Sequence, residues 1–262
     1  MTVNKKIDIS NVPFVNILGV EIHDVSYQET IEILKNMVQN GQPHHVMTVN
    51  PEFVMMAQNS RAFFEILQKA DLKVADGIGI LLGARILGTS VRERVTGVDI
   101  VRRFAATAQE NGFRIFLLGA APGIAEQAAA VLQKENPGLQ IAGTYSGSPR
   151  PEDEEMICSM IEKTRPHILF VAYGPPQQDL WIARTQQRLM IPVAMGVGGT
   201  FDFLTGVAVR APLWIRRIGM EWLFRLIREP WRWKRQMSLP LFVLSIIWKR
   251  MSQKNIQIKA RS

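Results

Sequence analysis

Ile168-Leu-Phe-Val-Ala172 runs directly into Tyr173-Gly174-Pro-Pro-Gln-Gln178-Asp179. Five apolar residues in an unbroken row suit a strand buried on both faces, as in a parallel sheet covered by helices. A Gly-Pro-Pro turn follows, and Gln177 opens a helix, so the stretch reads as one strand-turn-helix unit. The unit recurs on both sides. Strands are expected at 45–49 before Asn50-Pro51, at 72–75 before Asp76-Gly77, and at 114–118 before Gly119-Ala-Ala-Pro-Gly123. Two more are expected, at 139–145 before a helix at 151–164 and at 192–195 before Gly196-Val-Gly-Gly199. A hairpin-like start covers 14–23, Ser26 with Glu29 forms a capping box, and Ser60 caps a helix that runs to Lys69. Strands alternating with helices predict an α/β fold: a Rossmann-like, mainly parallel sheet with helices on both faces.

Composition agrees with a folded chain, with 47% hydrophobic and 21% charged residues among 262. One cysteine, Cys158, rules out an internal disulfide. Lys5 and Lys6 are followed by no apolar run, so no signal peptide is expected, and no stretch reaches the roughly 20 apolar residues of a spanning helix. The apolar run at 239–248 is interrupted by Pro240 and Ser245.

Charge divides the chain. Residues 210–262 hold 13 Lys/Arg against two Asp/Glu, a net of +11, and five of the six tryptophans; residues 1–209 carry a net of −3. We therefore expect a near-neutral body over 1–209, able to fold alone, and a basic, Trp-rich helical appendage over 210–262 with a polyanionic partner. On a continuous helix, Arg217, Glu221, Arg225 and Arg228 would form a charged stripe about 80° wide on an otherwise apolar surface. Such a helix must pack on the body or lie in a bilayer interface. A nucleic-acid-binding arm is the competing reading, disfavoured because the tail is as aliphatic as it is aromatic.

Residues that follow strands are the candidates for chemistry, because open α/β sheets bind ligands at the carboxyl ends of their strands. Asp76 reads as a helix cap or as a general base. Gly119 and Gly123 frame either a phosphate-binding turn or an ordinary βα turn. Arg94 offers a guanidinium to phosphate or a salt bridge to Glu93 or Asp99. Gly174, Gln178 and Asp179 open a helix with polar groups facing either a ligand or solvent. Gly196, Gly198 and Gly199 let backbone approach a ligand, with Asp202 beside them, or else serve helix–strand packing. The four histidines lack metal-ligand spacing and read as structural. No Asp-x-Asp occurs, so we expect neither metal nor cofactor, with cationic side chains in the place of a metal.

Thr48-x-Asn50-Pro-Glu52, Asp76-Gly77, Glu93-Arg-Val-Thr-Gly97, Gly174-x-Pro-x-Gln178-Asp179, Gly196-Val-Gly-Gly-Thr-Phe-Asp202, Arg210-Ala-Pro212 and Glu221-Trp-Leu-Phe-Arg225 resemble, in order and spacing, the WecG/TagA/CpsF glycosyltransferases. So does Glu229-Pro-Trp-Arg232, and the resemblance spans 12–240. Asp179 stands where that family usually has glutamate, and Gln177 where lysine is common. The resemblance implies an inverting, metal-independent transfer from a UDP-sugar to undecaprenyl-diphosphate-linked N-acetylglucosamine. The transferred sugar would be N-acetylmannosamine, with its uronic acid or glucose as alternatives. It implies that Asp76 is the base, that Thr48, Asn50 and Gln178 line the sugar pocket, and that Arg94 meets phosphate. Asp202 and the glycines around it would bind the nucleotide, while Arg225, Arg232 and Arg235 complete the site when the appendage docks. The enzyme would be cytoplasmic and peripheral on the inner face of the cell membrane, on an anionic surface that its lipid acceptor never leaves. A homo-oligomer is compatible with the sequence, and no nucleic-acid partner is expected.

Overall fold

The computed structural model of the chain describes residues 9–230 and 233–259. It opens with a hairpin, β1 (Phe14–Ile17) and β2 (Val20–His23), paired antiparallel. Ser26 caps α1 (Tyr27–Asn40): its hydroxyl accepts from the Glu29 N–H while the Glu29 carboxylate accepts from the Ser26 N–H at 2.8 Å. The alternation predicted from the sequence follows: β3 (His44–Val49), α2 (Pro51–Asn59), α3 (Arg61–Lys69), β4 (Leu72–Ala75), α4 (Ile78–Leu87), α5 (Gly97–Asn111), β5 (Arg114–Gly119) and α6 (Ile124–Glu135). Then come β6 (Gln140–Tyr145), α7 (Pro151–Thr164), β7 (Ile168–Ala172), α8 (Gln177–Leu189), β8 (Val193–Gly196) and α9 (Thr200–Thr205).

The strands form one eight-stranded sheet in the order β1-β2-β4-β3-β8-β7-β5-β6, and every neighbouring pair after the hairpin is parallel. The continuous apolar strands split their side chains between two cores. Val46, Leu117, Phe170 and Met195 meet α1, α5, α6 and α9 on one face. Met47 and Val49 meet α2, α3 and α4 on the other, where Leu169 and Val171 meet α7 and α8 further along the sheet. Both faces are thus covered, as an all-apolar strand requires. The chain steps outward from β3 to β4, then crosses three strands to reach β5, so the connections reverse direction near β3 and β8. Crevices at the carboxyl ends of the strands form at such reversals.

The tail differs from its expected form. It consists of α10 (Leu213–Arg217), α11 (Glu221–Arg228), α12 (Trp233–Gln236) and α13 (Ser238–Lys259). The single helix expected through Arg217, Glu221, Arg225 and Arg228 is broken at Gly219, which takes φ +77°. Gly219 also lies so close to α4 that a Cβ there would sit 2.7 Å from Ile78 Cγ1. The tail packs on the body, one of the two settings expected for it. Phe242 and Ile246 of α13 are fully buried in the core that contains Val49, Phe53 and Ile80. The apolar run at 239–248 therefore packs through one stripe of a docked helix, while Leu241, Leu244, Ile247 and Trp248 stay exposed on the other side. Among the described residues no helix is long and apolar enough to cross a membrane.

Candidate active site

A cleft of about 420 Å3 opens over the carboxyl ends of β3, β4, β7 and β8. Its floor is Thr48 and Asn50 after β3, Asp76 and Gly77 after β4, Gly174 and Gln178 after β7, and Gly198, Gly199 and Asp202 after β8. Its wall comes from the tail: Glu221, Trp222 and Arg225 on α11, Arg235 on α12, and Leu239 on α13. Arg94 and Arg210 stand between the two.

Local chemistry explains the floor. Asn50 caps α2, its side-chain oxygen accepting from the Phe53 N–H at 3.0 Å, so its amide NH2 is what it can offer a ligand. Gln178, 2% exposed, accepts from the Gly198 N–H at 2.9 Å and ties the β7 turn to the β8 turn. That crossing needs Gly196, because a Cβ there would collide with the Gln178 amide nitrogen and lie 2.7 Å from Asp179 Oδ1. Asp179 itself points inward. It is fully buried against His45, with His45 Nε2 3.3 Å from its Oδ1, so it supports the floor from beneath and does not face the cleft.

Asp76 follows β4 directly, and its N–H donates to the Val49 carbonyl at 2.8 Å. Burial pushes its carboxyl up to about 7. Arg94 and Arg210 pull against that shift, while Glu221 and Asp99 add to it. A carboxyl poised near neutrality at the floor of a cleft is what general-base work requires.

Ion pairs join floor to wall. Arg94 Nη1 lies 3.2 Å from Glu221 Oε2, and so reaches across to the tail instead of to Glu93 or Asp99. Glu93 accepts from the Tyr27 N–H at 2.9 Å. Arg210 grips Asp99 through two bonds of 2.7 and 2.8 Å and lies 3.6 Å from Glu221. Although burial alone would raise it, Asp99 is held well below the usual carboxylate range by bonds from Arg210 and Thr96. Arg235 holds Glu52 in a fork of 2.8 and 2.9 Å. Arg225 lies 3.8 Å from Glu229 and sits over the Phe203 ring, 4.7 Å from its centroid.

Most of the expected site residues therefore share one cleft: Thr48, Asn50, Asp76, Arg94, Gly174, Gln178, Gly198, Gly199, Asp202, Arg225 and Arg235. Gly196 lies beneath it. Gly119 and Gly123 are not among its lining residues: Gly119 pairs with Ala172 in the sheet and Gly123 caps α6, one strand further along. Arg232 lies outside the described residues. Reading the sequence alone missed Arg210, Glu221 and Glu52 as site residues. The Arg-Ala-Pro and Glu-Trp-Leu-Phe-Arg motifs contained two of them, but their partners are 111, 127 and 183 residues away.

Residues 15–256 match the glycosyl transferase WecG/TagA/CpsF family. Curated relatives include the N-acetylglucosaminyldiphosphoundecaprenol N-acetyl-beta-D-mannosaminyltransferase of Bacillus subtilis (strain 168), 30% identical over 96% of this chain and 94% of the relative. The enzyme of the same name from Staphylococcus aureus (strain MRSA252) is 31% identical over 94% of this chain and 96% of the relative. A family match over nearly the whole chain, and relatives aligned along almost their entire length, fit the strand-end cleft and its docked tail: the chain belongs to the WecG/TagA/CpsF family of glycosyl transferases.

Proposed function

We propose that this enzyme transfers N-acetylmannosamine, with inversion, from a UDP-linked donor to N-acetylglucosamine carried on undecaprenyl diphosphate. The observation that carries the mechanism is Asp76, a carboxyl raised to about 7 on the floor of a cleft ringed by arginines. Asp76 takes the proton of the acceptor hydroxyl as that oxygen attacks the anomeric carbon. The bond from carbon to the nucleotide diphosphate breaks on the opposite side, and its electrons leave with UDP. General-base help of this kind is worth about 10²–10⁴-fold.

The departing diphosphate gains charge, which Arg94, Arg210, Arg225 and Arg235 are placed to meet. Each pairs with a carboxylate that orients it, and a guanidinium has donors to spare for phosphate. We assign the phosphate role to these cations and not to a metal, so transfer should persist in EDTA. Complete loss restored by Mg²⁺ or Mn²⁺ would reverse that assignment.

The tail also fits a peripheral position on the inner face of the membrane. Leu213, Trp214 and Ile218 around α10, and Ile227, Leu244 and Trp248 beyond it, are all exposed in the same basic segment. The direct test of the reading is incubation of the enzyme with UDP-N-acetylmannosamine and the lipid acceptor. A disaccharide-lipid product and free UDP are expected, and no transfer from this donor would refute the choice of sugar.

A further inference from the structure

A second cavity, of about 210 Å3, lies between α4, α11 and the start of α13. Ile78, Gly79, Trp222 and Leu239 border both it and the cleft, so the two spaces adjoin. Their chemistry differs. On the cleft side of Leu239 stands Arg235 with its Glu52 partner. On the far side, the groove is lined without a charged residue among those described. Its floor is Phe242 and Ile246, 1% and 0% exposed, and its rim is Leu82 and Ile86, 47% and 37% exposed. Gly83 brings the two helices together: a Cβ there would lie 2.8 Å from Phe242 Cζ. The result is a built apolar trough that starts at the cleft and ends at an open, greasy rim, and such a surface marks a binding site for an apolar partner.

We propose that this groove receives the first isoprenoid units of the lipid acceptor while the acceptor's diphosphate stays in the adjoining cleft. The inference rests on the lipid-linked acceptor reading above. Continuity selects the occupant. A chain esterified to a diphosphate held in the cleft leaves through the apolar opening that adjoins it. A bilayer acyl chain has no such group to anchor it in the cleft. The enzyme would then lift the start of the acceptor chain out of the bilayer and use its length to seat the sugar over Asp76.

The test uses the full-length enzyme, UDP-N-acetylmannosamine and two acceptors in the same detergent micelles. Both carry N-acetylglucosaminyl diphosphate, one on a polyprenyl chain and one on a short alkyl group. The wild type should show a lower KM for the polyprenyl acceptor. Leu82→Gln combined with Ile86→Gln, both on the exposed rim, should raise that KM by about tenfold, equivalent to about 1.4 kcal/mol, so that the preference collapses. Leu82→Ala with Ile86→Ala should do the same to a smaller degree, and an unchanged melting temperature shows that the fold is intact. A preference that survives both variants, or that the wild type lacks, overturns the groove. A preference abolished by added phospholipid makes an acyl chain the occupant and overturns it too. Transfer to neither acceptor would refute the functional reading itself, and the groove with it.

Discussion

Asp76 stands immediately after β4 and Asn50 immediately after β3, whereas Glu221, Arg225 and Arg235 reach the same cleft from a segment whose described residues contribute no strand. The floor is set by the sheet: each residue is delivered by the strand that precedes it and is fixed by backbone and capping bonds. The wall is set by ion pairs spanning more than a hundred residues, Arg94–Glu221, Arg210–Asp99 and Arg235–Glu52, and by the burial of Phe242 and Ile246. A site made this way places the proposed base in the sheet half and much of its positive charge in the half that contacts the body through side chains. Chemistry should thus fail when the floor is altered, and its efficiency should fall when the wall is.

The largest effect is expected on the floor. Asp76→Asn should lower turnover by about a hundredfold or more, with UDP affinity little changed, because a base acts in the transition state. Near-normal turnover would move the base elsewhere. The same variant should be more stable than the wild type at pH 8 but not at pH 4. Asp76 is raised to about 7 in the fold from about 3.9 in the unfolded chain, so the folded state keeps its proton longer and loses stability as pH rises across that window. Asparagine removes the loss, and thermal melts at the two pH values would show it.

Next comes the attachment of the wall. Phe242→Ala should cost about 3–5 kcal/mol, the usual price of emptying a buried aromatic site. Removal of residues 210–262 would strip the same surface from Phe53 and Ile80, so the 1–209 body should be markedly less stable than the charge division suggests. A truncated body with an unchanged denaturation midpoint would restore the picture of an independent appendage. A smaller effect is expected within the wall. Arg225→Ala and Arg235→Ala should each lower kcat by about tenfold with little change in UDP affinity, since they face charge that develops during transfer. The smallest expected change lies between the two halves. Glu221→Gln removes a negative charge that pushes the Asp76 carboxyl up, so the pH dependence of kcat/KM should move to lower pH. An unmoved profile would show that the wall does not tune the floor.

The two halves were also unequally legible in the sequence. Apolar runs such as 168–172, each ended by a turn, exposed the parallel sheet and the floor, because a strand end is a local event in the chain. Ser26 with Glu29, and Asn50 with Pro51, announced their helices for the same reason. Gly219 was harder to read. Helical periodicity ran through it, and its close approach to Ile78, far away in sequence, adds to its positive φ in accounting for the break between α10 and α11. Asp179 read as a polar group at a helix start, and nothing nearby in the chain shows that His45 lies beneath it. The tail's charge and tryptophans suggested a surface-seeking appendage, yet the large side chains it buries among the described residues are Phe242 and Ile246, one helical turn apart, a sparse signal beside eleven net charges.

The central claim is that Asp76, held near neutrality by its surroundings, is the base of a sugar transfer. The most direct measurement is kcat/KM as a function of pH with UDP-N-acetylmannosamine and the lipid-linked acceptor. We expect a rise through about 7 to a plateau in the wild type, and a low profile without that step in Asp76→Asn. A wild-type profile that stays flat across neutrality, or the same step surviving in Asp76→Asn, would contradict the account.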